Sequence, residues 1–222
     1  MWNNSMSIKT NTLEDTMYHK QTVVLHYKIE YPQFMSVMFQ AAAHRINLYY
    51  RTNALAFELY CRTKLFKMAV EQYEYSVDNN YPVHEYEALQ TYEITYQQDC
   101  VVSLYFDRYE YTGGAHGNTV RNSDTWNLQS GRRITLSQMF PPSVNYKTYL
   151  IQTITKQIEE QIKNGNDIYF ENYEENVANS FNENSFYLTR EGVVIYFQQY
   201  EIAPYASGIP QFLIPYSPKG PI

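Results

Sequence analysis

The residues best suited to chemistry in this 222-residue chain gather in two places. The first is Tyr111-Thr112-Gly113-Gly114-Ala115-His116-Gly117-Asn118. A phosphate cradle needs GxGxxG or GxxxxGK[ST] spacing between a strand and a helix, so that backbone N–H groups at a helix start meet the anion. Gly113, Gly114 and Gly117 have neither spacing, and strand-like sequence follows them. The cluster therefore reads as a sheet turn or bulge in which glycine supplies positive φ. Tyr111, Gly113, Gly114, His116 and Asn118 are its candidate binding residues. The second place is Tyr196 to Gly208, YFQQYEIAPYASG, where a strand runs into a loop closed by Gly208. Rigid aromatic loops make contact anchors that lose little entropy on binding, and Tyr200, Pro204 and Tyr205 are the candidates here. The competing reading folds this loop back onto the core with its rings as packing plugs.

Catalytic sets are poorly supported. His116, Ser123 and Asp124 form a triad on paper, but adjacent strand residues face opposite sides of a sheet and Ser123 lacks a nucleophile-elbow context. The histidines at 19, 26, 44, 84 and 116 show no HExxH or paired ligand spacing. His84 with Glu85 and Glu87 comes nearest to a metal cluster and reads as a solvated strand end. Glu159-Glu160 and Glu174-Glu175 sit in helical patterns, where charge runs mark the wet face. No catalytic residue, metal or cofactor is expected, although a two-carboxylate hydrolase pairs its acids in space and leaves no sequence trace.

The elements that must position these loops follow from periodicity. After a polar, frayed start, residues 22–30 alternate as a half-buried strand that Tyr31-Pro32 is expected to end. A helical stretch covers 36–77, with Arg51-Thr52-Asn53 as its least apolar patch and the expected bend. Strands follow at 87–98 and 101–111, joined as a hairpin, and at 118–127. A return strand starts at Arg133. Tyr146, Leu150, Ile154, Ile158 and Ile162 recur every four residues in a helix over 143–163, with Ser143 as its N-cap and Gly165 just past its end. A second, acidic helical segment lies in 167–182. Short strands over 185–189, 192–198 and 209–216 complete the chain. Strands and helices are segregated, so the class is α+β: a long N-terminal helix on an antiparallel sheet, then a second α+β module with the glycine loop. The expected modules are 17–110 and 111–217, packed as one compact unit.

Composition narrows the function. A net charge of −6 and a pI near 5.4 speak against a basic nucleic-acid face. No apolar run approaches the ~20 residues that span a bilayer, and the opening residues lack the basic and apolar regions of a secretory signal. The two cysteines, Cys61 in a helical pattern and Cys100 in a strand pattern, read as free thiols. The 24 tyrosines suit half-buried sheet faces and binding platforms alike.

Four ordered stretches carry a resemblance: YTGGAHG at 111–117, SGRRITLSQMF at 130–140, Gly192 to Phe197 running into YEIAPYASG at 200–208, and IPY at 214–216. Over about 17–217 the chain resembles the extracytoplasmic domain of RsiV-type anti-sigma factors, which is also the non-catalytic N-terminal region of PdaC-type peptidoglycan deacetylases. The resemblance implies a non-enzymatic binding domain with a c-type lysozyme as partner. Peptidoglycan is the alternative ligand, stacked on Tyr111, Tyr200 and Tyr205. It also implies an extracytoplasmic site of action, for which this sequence carries no membrane anchor, sigma-binding segment or deacetylase domain. A stand-alone family member and an ectodomain without its anchor both fit.

Overall fold

A computed structural model describes residues 6–217, 220 and 221, so the first five residues of the polar opening lie outside it. The opening is otherwise a strand. β1 (Ser7–His19) pairs antiparallel with β2 (Thr22–Met35). Lys20 and Gln21 make the turn with φ of 46° and 67°, the two positive values that a twisted two-residue hairpin demands. β1 was hidden because its half-buried face carries Asn11, Leu13, Asp15, Met17 and His19, only two of them apolar.

β2 also runs past its expected end, through Pro32 to Met35. Parallel pairing with β3 (Tyr86–Gln98) spans only Leu25–Ile29, so beyond it β2 pairs on one side alone, where a missing N–H is tolerated. The parallel pair corrects the wholly antiparallel expectation. A helical crossover returns the chain to the end from which β2 started, and such a connection joins parallel strands.

That crossover comprises α1 (Gln40–Tyr60), a π-helical turn (Cys61–Leu65) and α2 (Phe66–Asp78). The irregularity falls at Cys61–Leu65 instead of Arg51-Thr52-Asn53. Residues Ala54, Phe57, Cys61, Leu65 and Ala69 stay buried through it and pack with Val24, Leu25, Tyr27, Ile29, Tyr86 and Ala88. The single π turn at Cys61–Leu65 keeps the apolar stripe aimed at the sheet along the whole helical run from Gln40 to Asp78.

β4 (Val101–Tyr111) follows β3 through Asp99 and Cys100, with φ of 50° and 61°. Cys100 is therefore a turn residue and not a strand residue. β5 (Asn118–Asn127) and the short β6 (Arg132–Arg133) finish a six-stranded sheet in the order β1-β2-β3-β4-β5-β6. Thr135 then caps a single 3-10 turn over Leu136–Met139 through a capping box with Gln138.

α3 (Tyr146–Lys163) buries Leu150, Ile154 and Ile158 completely. Its N-cap is Asn145, whose side chain accepts from the Thr148 N–H, and not Ser143. Gly165 takes the left-handed conformation beyond its end, with φ of 86°. α4 (Tyr173–Ser180) lies within the expected acidic stretch, with Glu174 and Glu175 in its first turn. β7 (Phe186–Leu188), β8 (Gly192–Tyr196) and β9 (Gln211–Pro215) form an antiparallel three-stranded sheet against α3 and α4. The α+β class stands, with sheets of six and three strands.

The chain forms two compact units, each assembled from separated stretches. The first takes the described residues to Tyr92 with Phe106–Thr119 and Leu128–Gly131, and the second takes Glu93–Tyr105, Val120–Asn127 and everything from Arg132.

Candidate functional site

The glycine loop belongs to the first unit and joins β4 to β5. Gly113 and Gly114 have φ of 89° and 97°, a region that a side chain would strain. Gly117 is required for a different reason: a Cβ there would lie 2.4 Å from Tyr109 ring carbons and 2.6 Å from the Glu110 carbonyl oxygen. The loop is braced from within. The Tyr111 hydroxyl donates to the Gly114 carbonyl at 3.1 Å, and the His84 ring stands edge-on to Tyr111 with centroids 6.4 Å apart. His116 Nδ1 lies 3.0 Å from the Gly117 carbonyl oxygen. Gly114, His116 and Asn118 are exposed, and Tyr111 is half-buried. This is a turn between strands that presents a histidine, with no helix start behind it to gather phosphate.

The tail loop, Gln198–Gly208, belongs to the second unit. Its two readings each describe part of it. Ile202 and Ala203 are plugs, 0% and 1% exposed, and the Ile202 carbonyl accepts from the Phe170 N–H at 3.1 Å. Pro204 is exposed and Tyr200 is 54% exposed. Tyr200 takes φ of 67°, and its ring leans against Tyr205 at 5.9 Å between centroids. A single 3-10 turn over Tyr205–Ser207 and Gly208 at φ 68° close the loop. At its base the Gln198 N–H donates to Glu201 Oε2 at 2.6 Å. Burial is the larger influence on that carboxyl and raises its pKa, against the lowering effect of the donated hydrogen bond.

Sequence reasoning missed the residues that hold this loop. The Gln198 side chain accepts from the Arg121 backbone N–H at 2.9 Å and donates to the Arg121 carbonyl at 2.7 Å. The Arg121 guanidinium, on a residue 7% exposed, lies 3.7 Å above the Tyr105 ring centroid. The one available signal was a polar Gln-Gln pair closing an otherwise apolar strand.

Ser123 and Asp124 have structural roles. The Ser123 hydroxyl donates to the Phe186 carbonyl at 2.5 Å and lies 3.0 Å from the Tyr196 hydroxyl, while Asp124 pairs with Arg133 at 2.8 Å. Both side chains are occupied inside the second unit, so the paper triad with His116 has no free nucleophile or orienting acid. Among the described residues no three His, Cys, Asp or Glu side chains are placed to hold a metal ion. Among the described residues no helix is long and apolar enough to cross a membrane.

Residues 18–119 match the family model described as "Deacetylase PdaC", and residues 137–217 match that described as "Protein of unknown function (DUF3298)". The two matched stretches follow one another along the chain. The first takes in the glycine loop and the second takes in the tail loop. Two solved structures of DUF3298 family proteins share the fold. One, from Bacteroides fragilis, is 19% identical with a TM-score of 0.74, and the other, from Pseudomonas aeruginosa, is 15% identical with a TM-score of 0.59. Each alignment covers 96% of this chain and 91% of the other. A comparison with curated proteins finds no match.

Proposed function

We propose that this chain is a non-catalytic recognition domain that holds a protein partner on its projecting tail loop, a c-type lysozyme in the form the RsiV-type resemblance suggests. The observation that carries this reading is the build of the tail loop. Its base is locked by buried Ile202 and Ala203 and by the Gln198 amide, while Tyr200 is more than half exposed. An aromatic ring already held in place loses little entropy when a partner covers it, and such rings dominate interface energies. The net charge of −6 would speed encounter with a basic partner. Calorimetry of the chain against a c-type lysozyme tests the reading. Heat is expected at micromolar concentrations, with affinity at least about tenfold weaker for Tyr200→Ala, the loss of a modest hot spot. No heat with the wild-type chain overturns it.

A second reading rests on the tilted Tyr200–Tyr205 pair, which offers a platform on which sugar rings of peptidoglycan could stack. Retention on purified peptidoglycan, compared between wild type and Tyr205→Ala, tests it. Equal retention removes this platform from consideration.

A further inference from the structure

A polar groove of about 300 Å³ lies wholly within the first unit, lined by Asn11, Tyr31, Pro32, Gln33, Asn47 and Arg51. Its origin is a change of face along β2. Past the buried Val24 the buried residues are Leu25, Tyr27 and Ile29, then Pro32 and Phe34, while pairing with β1 continues unbroken from Leu13 to Ser7. The switch leaves Asn11, Tyr31 and Gln33 half-buried beside α1. Asn47 fixes the α1 wall by accepting from the Phe34 N–H at 2.7 Å and donating to the Phe34 carbonyl at 2.8 Å.

The hydrogen-bonding capacity of this groove is only partly used. Asn11 Nδ2 donates to Gln33 Oε1 at 3.3 Å, which leaves Asn11 Oδ1 as an acceptor and Gln33 Nε2 as a donor. The Arg51 guanidinium has no carboxylate partner among the described residues. Arg62, about three turns of helix beyond Arg51, instead holds Asp15 at 2.6 Å and Glu58 at 3.4 Å. One unpaired guanidinium calls for one anionic group, and its planar fork matches a carboxylate. The other polar groups are neutral and offer both donors and acceptors, the complement of hydroxyls rather than of a second charge. The half-buried Tyr31 ring adds a face for a C–H surface. The volume is at the small end for ligand sites and suits a single sugar-sized ring.

We propose that this groove binds a polyhydroxylated monocarboxylate of the size and chemistry of a hexuronate, with Arg51 on the carboxylate and the Asn11–Gln33 pair on hydroxyls. The site shares no residue with the tail loop of the proposed function, so the two stand or fall separately.

Titration of the full chain with glucuronate, glucose and acetate, followed by calorimetry and by amide chemical shifts, tests the proposal. Glucuronate should saturate with shifts centred on Asn11, Tyr31, Gln33, Asn47 and Arg51, while glucose and acetate bind at least about tenfold more weakly. Arg51→Ala should weaken glucuronate about tenfold or more, through loss of the charge-assisted contact, with an unchanged circular dichroism spectrum because the side chain is exposed and unpaired. Gln33→Leu should weaken glucuronate without affecting the weak binding of acetate. No binding of glucuronate at about 10 mM, a limit beyond ordinary weak affinity, would overturn it. So would equal affinity for glucose or acetate, or unchanged affinity in Arg51→Ala.

Discussion

The side-chain amide of Gln198 closes a two-bond ring on the backbone of Arg121, 2.9 Å to its N–H and 2.7 Å to its carbonyl oxygen. It extends β8's end onto β5 in the way a further strand residue would, and the tail loop departs from that fixed point. Gln198→Ala leaves both Arg121 groups without these partners and should cost about 1–3 kcal/mol. The drop in urea midpoint measures the cost, and faster amide exchange over 199–208 would show that the loop has loosened with it.

The two kinds of glycine in the turn after β4 respond differently to a methyl group. Gly114→Ala meets nothing within 4 Å, so its cost is the strained φ of 97° alone, about 1 kcal/mol. Gly117→Ala drives a carbon into Tyr109 and the Glu110 carbonyl, and destabilisation of several kcal/mol, of the order of severe overpacking, is expected. Thermal melts of the two variants should rank them in that order, and the reverse ranking would contradict the packing described for this turn.

Cys61 lies fully buried in the π-helical turn, and burial, reinforced by Glu110, pushes its thiol up to about 12. The thiolate is the reactive form, so alkylation by iodoacetamide at pH 8 should spare Cys61 in the folded chain and modify it after denaturation. Peptide mass mapping reads the result.

The Glu74 carboxyl is held below the usual carboxylate range, chiefly by the hydrogen bond from Lys20 and then by that from His19. A folded pKa below the unfolded one contributes stability that is present above the unfolded value and is lost as pH falls through the folded one. The wild type should therefore exceed Glu74→Gln in urea midpoint at pH 7, with the gap closing as pH drops below about 4.3, the unperturbed carboxylate value. The pair is exposed, so added salt should narrow the same gap. A gap that widens in acid would contradict this assignment.

Much of the architecture was legible in the residues themselves. Intervals of four from Tyr146 to Ile162 announce α3 because its partner surface is wholly apolar, and the buried trio Leu150, Ile154 and Ile158 answers to that pattern. Val101–Tyr111 and Asn118–Asn127 also declare themselves as strands, and the glycines between them as a turn. β1 did not, since an edge strand needs to bury only half of one face and can fill it with Asn11 and Asp15. The Lys20-Gln21 turn did not announce itself either, because it reaches positive φ without glycine, whereas the hairpin of the next two strands was legible and its turn falls at Asp99-Cys100.

What the sequence by itself determined is the segregated α+β order, the central helices and the two loops rich in glycine and tyrosine. These follow from local periodicity and local backbone freedom. Only the tertiary structure decided the parallel pairing of β2 with β3, the change of buried face at Tyr31, the division of the tail loop into plug and projection, and the meeting of Asn11, Gln33 and Arg51 in one groove. Each of these depends on which distant segment covers a residue, and no local pattern carries that information.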